Sequence, residues 1–223
     1  MFNFLIVWDS GIGDRLAKMI GNAAMECAGI FPNSNFHVYG TKSFSDTVSI
    51  DGLIANAKKR NGQVNVFDIT DELERMDWKT LGDAYLHLIV FTSRDLYPDG
   101  MPVNFCFGIQ RRAIILQSVA RYRHLPDAEL QACITHIMCH ELGHMFGAAK
   151  GRDNGLARIH PIYADHCEHE GCVMQQASDV NCLRAMALSG KRGKDRFCLT
   201  CSMDMAFNLG ATRMNVRSSC YIY

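Results

Sequence analysis

An α/β (α+β) fold is what this sequence predicts, and three observations predict it. Short apolar, β-prone runs alternate with helical stretches from Phe2 to Ser118. A helix of about twenty residues follows, long enough to cross a small domain. After Gly147 the character changes: Gly, Asn, Asp, Cys and His become frequent and long periodic segments scarce, as in a lobe held by metal more than by core. With 223 residues the chain has ample core for one domain, or for one domain with two lobes. The expected division is into residues 1–147, ending with the long helix, and a smaller part, 148–223.

Taken in order, residues 2–8 are apolar and β-prone, a buried strand. Asp9-Ser10-Gly11-Ile12-Gly13 leads into a helix from Asp14 to about Ala28. It lacks the third glycine or the Lys-Ser/Thr of a phosphate-binding loop, so a plain strand-to-helix turn is expected. Phe36–Tyr39 reads as a second strand, and Asp46 to Arg60 as a helix ended by Asn61-Gly62. Val64–Phe67 is a third strand candidate, with Thr70 a candidate cap for a helix running to about Leu81. Tyr85–Phe91 is apolar almost throughout, the strongest strand signal and the predicted sheet centre. After a turn at Asp95–Gly100, Val103–Ile109 and Ala113–Ser118 read as two strands. One of them could form an edge able to hold an extended peptide. Beyond Gly147, Ser178 to about Leu188 reads as a helix.

Composition narrows the function classes. Lys+Arg and Asp+Glu both number 23, so the chain lacks the basic excess that nucleic-acid binding normally needs. The basic cluster from Lys191 to Arg196 reads as a solvated loop. No run is long and apolar enough for a transmembrane helix, and the start lacks the basic region of a signal peptide, so a cytoplasmic location is expected. Ten cysteines in that setting point to metal or free thiols before disulfides.

The long helix carries the chemistry. Leu125-Pro126-Asp127-Ala128-Glu129 has the proline and acids of a helix start, and Gly147 can take the left-handed conformation that ends one. Leu130, Ile134, Ile137, Met138, Leu142 and Met145 recur at helical spacing, enough to bury one face. Within it, His140-Glu141-Leu142-Gly143-His144 is an H-E-x-x-H pattern. Two histidines four apart share a helix face and can hold one zinc at about 2 Å. Zinc lowers the pKa of a bound water towards neutrality, and Glu141 is placed to act on that water as general base.

A second constellation lies downstream. Cys167 and Cys172 form a C-x4-C pair, and Cys198 and Cys201 a C-x2-C pair. Two such pairs can complete a tetrahedral zinc site of four thiolates, with Cys182 between them as a substitute ligand. Cys27, Cys106, Cys133, Cys139 and Cys220 read as core thiols.

These motifs resemble those of the archaemetzincins, zinc metallopeptidases of the metzincin clan. The resemblance rests on H-E-L-G-H-x-x-G from His140 to Gly147, on H-C-x4-C-V-M from His166 to Met174, and on the pair Cys198 and Cys201. The strands before the helix, with Asn104–Ile109 in them, are similar too, and the likeness extends over most of residues 1–205. It implies a mixed twisted sheet with an active-site helix and a backing helix above a cleft, and a small zinc-stabilised C-terminal lobe below. It implies two zinc ions per chain: a catalytic one on three histidines and a structural one on Cys167, Cys172, Cys198 and Cys201. Met174 would be the methionine of the Met-turn, an apolar floor under the catalytic metal.

In one respect the chain departs from that pattern. The third histidine of H-E-x-x-H-x-x-G-x-x-H would fall at Lys150, so Lys150 to Asp165 reads as an insertion before His166. Loops lengthen at little cost because closure entropy grows only logarithmically. His166 is therefore the expected third ligand, with His160, His169 and Asp153 as rivals; Tyr163 reads first as a surface tyrosine, with an extra ligand or oxyanion donor as the alternative. Lys150 is expected to point away, since an ammonium at the zinc would be repelled. The insertion would act as a lid or specificity loop, with Arg152 or Arg158 available for a substrate carboxylate. The expected function is peptide-bond hydrolysis on a peptide or protein substrate, with no nucleic-acid or membrane partner. The alternative is a two-zinc structural or interaction protein whose catalytic site is vestigial.

Overall fold

The computed structural model describes residues 1–41, 49–76, 80–81, 84–101, 103–150, 165–189 and 193–218. They form two compact units, Met1–Glu141 and Leu142–Tyr223, divided inside one helix.

The first unit is built on a mixed sheet. Strand β1 (Phe2–Trp8) pairs in parallel with β2 (Ser34–Gly40) on one side and β6 (Ala84–Thr92) on the other. β6 pairs in parallel with β9 (Ile114–Ser118), and β8 (Gly108–Arg111) closes the order β2-β1-β6-β9-β8 as an antiparallel edge. β5 (Thr80–Leu81) hairpins onto β6. β6 is the centre the apolar run predicts, with Leu88 to Phe91 wholly buried.

Side-chain alternation divides the core into two layers. Leu5, Val7, Leu88, Val90, Ile114 and Leu116 face helices α2 (Ile50–Asn56) and α3 (Val66–Arg75). Residues of the other parity face α1 (Asp14–Ile30) and α4 (Asp127–Met145), as the Gln117 amide shows by donating to the carbonyl of Ile134 (3.3 Å). α4 is tied to α1 along its length. Arg15 pairs with Asp127, Gln131 donates to the Met19 carbonyl (3.1 Å), and the Cys27 and Cys139 sulfurs touch at 3.4 Å.

Several expectations needed correction. The helix expected over 46–60 is Ile50–Asn56, capped by Ser49; residues 42–48 lie outside the described residues. Asn61 and Gly62, both at positive φ, form the two-residue turn of a hairpin between β3 (Lys59–Arg60) and β4 (Gln63–Asn65) rather than a helix end. Asn65, not Thr70, caps α3: its side chain accepts from Phe67 N–H, while Thr70 is buried mid-helix with its hydroxyl donating to the Val66 carbonyl. Of Val103–Ile109, only Gly108 and Ile109 enter a strand. Cys106 makes a single bridge to Leu96 of the short β7 (Leu96–Tyr97). The turn at Asp9–Gly13, by contrast, is the plain strand-to-helix turn expected, and it also ties strands together. Asp9 accepts from Gly11 N–H, Ser93 N–H and the Thr92 hydroxyl.

In the second unit, Asp179 caps α5 (Val180–Ala187), close to the predicted bounds. A longer helix, α6 (Leu199–Ser218), was not predicted and begins inside the Cys198–Cys201 pair. No helix among the described residues is long and apolar enough to cross a membrane.

Candidate metal centres

α4 starts where the sequence places it and is more deeply buried than one apolar stripe implies. Every residue from Cys133 to Cys139 is buried, and Met145, assigned to the stripe, is half-exposed. A helix buried on every face over this stretch is held by its surroundings rather than by one apolar stripe. Gly147 ends it at φ 80°.

His140 and His144 lie one turn apart on α4, and all three of His140, His144 and His166 are half-buried. Their ligand atoms are all within 4.8 Å of one another, a group that could hold a metal ion. The His144 and His166 rings meet edge to face with centroids 5.0 Å apart. Nitrogens sharing a tetrahedral zinc at about 2.05 Å stand roughly 3.3 Å apart, a spacing that falls within this bound. Among the rivals His169 is exposed, and Lys150 is exposed too. His160, Asp153, Tyr163, Arg152 and Arg158 lie outside the described residues.

Glu141, next to His140 in the chain, is buried at 5% exposure. Burial pushes its carboxyl up to about 8, and a dication held next door would oppose that shift. Its outer half rests on the backbone of Gly108, where an added Cβ would sit 2.7 Å from Oε1 and 3.2 Å from Cδ. In the second unit Gly143 has the same relation to Met174: an added Cβ would come within 2.3 Å of its sulfur and 2.9 Å of Phe197 Cε1. Met174 is wholly buried in a turn that Gln175 N–H closes on the Cys172 carbonyl (3.0 Å).

The four cysteines gather as a separate group, again with ligand atoms within 4.8 Å. Cys167 to Cys198 and Cys172 to Cys201 are both 3.7 Å between sulfurs. Thiolates around a tetrahedral zinc at about 2.3 Å stand roughly 3.75 Å apart, so these two pairs already have the spacing that ion needs. Backbone N–H groups of His169, Cys198 and Cys201 point at the sulfurs of Cys167, Cys172 and Cys198 at 3.4 to 3.5 Å. Hydrogen bonds from Cys201 and from the Cys198 and Met174 backbone hold Cys172 down at about 5, whereas burial pushes Cys167 up to about 11 and the shared proton raises Cys201. One thiolate is thus stabilised and its neighbours resist ionising beside it, a conflict a dication relieves. Cys182 is outside the group, its sulfur 3.6 Å from Met186. Cys27, Cys133 and Cys139 are buried core thiols, Cys106 is half-buried, and Cys220 lies outside the described residues.

Sequence reasoning missed the residues of α6 that hold the turn following α4. On α6, Asp204 accepts from Ala149 N–H (3.1 Å) and Asn208 donates to the Gly147 carbonyl (3.1 Å), closing the turn after the histidine helix. Cys201, Asp204 and Asn208 recur at i, i+3, i+7, a helical signal that was available. Arg196, assigned to a solvated loop, is 7% exposed, and its carbonyl accepts from Val173 N–H (2.7 Å). The loop is instead a short 3-10 turn (Gly193–Arg196) whose backbone is tied to the turn that holds Met174.

Compared with solved structures, the chain has the fold of archaemetzincins. It matches the archaemetzincin of Methanopyrus kandleri with TM-score 0.66 and 21% identity, over 94% of this chain and 96% of that one. The archaemetzincin of Archaeoglobus fulgidus, complexed with malonate, matches at 0.59 and 21% identity, over 91% and 99%. A zinc-dependent peptidase from Methanocorpusculum labreanum matches at 0.59 and 18%, also over 91% and 99%. No protein-family model matches the sequence, and no curated protein does.

Proposed function

We propose that this chain is a zinc-dependent metallopeptidase that hydrolyses peptide bonds, with a second, structural zinc on its four cysteines. The observation that carries the reading is the convergence of His140, His144 and His166 within 4.8 Å, with a buried glutamate following His140 in the chain. Three neutral donors with room for a fourth partner are the donor set of a catalytic zinc, whereas four thiolates are that of a closed structural one. The solved structures of this fold, one of them a zinc-dependent peptidase, support it.

When bound, zinc supplies Lewis acidity for a carbonyl and makes water a nucleophile near neutral pH. The chain's own residues do the rest. His140 and His144, fixed on a buried helix, and His166 orient the ion. Glu141 takes the proton of the attacking water at a carboxylate oxygen and passes it to the leaving amine. Met174, dry and wholly buried against Gly143, gives the helix an apolar support in the manner of a Met-turn. Among the described residues β8 ends the sheet, and an extended substrate would add to that edge by backbone hydrogen bonds.

The test is a peptide library offered to zinc-replete protein and to Glu141→Gln. The parent cleaves. The variant keeps its zinc and loses about a hundredfold to ten-thousandfold in turnover, the share general-base catalysis supplies. A variant that cleaves like the parent sinks the mechanism. A parent that holds zinc on both sites and cuts no peptide points to the vestigial, structural alternative.

A further inference from the structure

Gly108 lies on edge strand β8, where neither turn nor backbone conformation calls for glycine. Its φ is not among the positive values, in contrast to Gly147 at 80°. An L-residue could adopt this backbone, so what excludes one is space. The three nearest atoms to an added Cβ all belong to Glu141: Oε1 at 2.7 Å, Cδ at 3.2 Å and Cγ at 3.2 Å. The outer half of that side chain lies flat on the glycine.

Which side yields to an added methyl follows from how each is held. β8 is tied at both ends and in its middle. Cys106 N–H donates to the Leu96 carbonyl (3.1 Å), Ser118 N–H to the Phe107 carbonyl (2.7 Å), and Gly108 to Arg111 run in register with Gln117 to Ile114 of β9. Beyond the strand pairing, Arg111 is clamped by Asp71 and Glu74, and Arg112 by Glu74 (2.9 Å). The Glu141 carboxyl is the free end of a side chain with rotatable bonds, so it moves first. Such a shift costs folding little. It matters for proton transfer, which needs the base within about 2.6–3.2 Å of its partner.

We propose that Gly108 is a positioning residue: the bare backbone of β8 at this point is the wall that holds the Glu141 carboxyl in its working place. This rests on the peptidase reading for its consequence in catalysis, and on geometry alone for the contact. The absence of a side chain at 108 thereby becomes part of the hydrolytic apparatus, although Gly108 itself supplies no chemical group.

The test is a double-mutant cycle on the full chain, read first by thermal unfolding of zinc-replete protein without substrate. Gly108→Ala should lower the midpoint of the parent by about 1–3 °C. In a Glu141→Ala background the same change should leave the midpoint unchanged or raise it, since glycine to alanine at a permissive backbone stabilises once the clash is gone. Equal shifts in both backgrounds overturn the proposal. The second readout is peptide hydrolysis. Gly108→Ala should lose about tenfold to a hundredfold in kcat, with KM within about threefold and zinc per chain unchanged. A loosened edge strand would raise KM instead. If Glu141→Gln is inactive while Gly108→Ala turns over like the parent, the peptidase reading stands and this proposal fails. If Glu141→Gln cleaves normally, the catalytic reading fails and the unfolding cycle still decides the contact.

Discussion

The two donor groups of this chain are built in opposite ways. The four sulfurs are closed: three of the four cysteines are buried, and the sulfur pairs already stand at the spacing of a tetrahedral zinc. The three imidazoles are open. Each is half-buried, and a buried glutamate follows the first of them in the chain. The cysteines come in two local pairs braced by backbone N–H groups, whereas the histidines combine one rigid helix with a residue more than twenty positions further on. A filled coordination shell contributes stability, and an incomplete one leaves a place for chemistry. The difference assigns the cost of losing each.

The largest expected effect on the fold is Cys201→Ser. Losing the closed site forfeits about 10 kcal/mol or more of apparent metal-binding free energy, comparable with the ~5–15 kcal/mol net stability of a domain. Zinc should fall from two per chain to one, and amides within residues 142–218 should lose hydrogen-exchange protection. Retained protection would mean that the apolar contacts around Met174 and Phe197 hold the unit without metal. Next comes Gly143→Ala, which drives a methyl against the Met174 sulfur and the Phe197 ring, both buried. Overpacking of this kind costs about 1–3 kcal/mol, readable by chemical denaturation, and a neutral result would show that the methionine turn can retreat. His166→Ala should move the unfolding midpoint least of the three. It removes one donor from an open set while α4 keeps its buried core, so metal analysis should show one zinc lost and the cysteine zinc kept. Two zincs after this change would detach His166 from the set.

Legibility in the sequence followed the range of the interactions. The central strand Ala84–Thr92 and helix α4 were readable because apolar run and helical period are local. The hairpin at Asn61-Gly62 was misread as a helix end because the same dipeptide serves both, and only its partner strand decides. Thr70 was misassigned as a cap because Asn65, one residue before the helix, competes for the same role with a free side-chain acceptor. α6 was missed because its outer face carries exposed Leu199, Met203 and Phe207 among polar residues, which blurs the stripe that marks a buried helix face. Both glycine contacts, Gly108 on Glu141 and Gly143 on Met174, were invisible, because the absence of a side chain has no periodicity.

By itself the sequence determined the spacing of the donors. A 3.6-residue repeat puts His140 and His144 on one face wherever the helix lies, and short C-x4-C and C-x2-C loops keep each sulfur pair within reach. Tertiary structure alone decided which strand became the sheet edge and what the Glu141 carboxyl rests against. Those contacts join residues far apart in the chain, and a loop of almost any length can bring its ends to the same place. Only the packed sheet and helices select one closure among them.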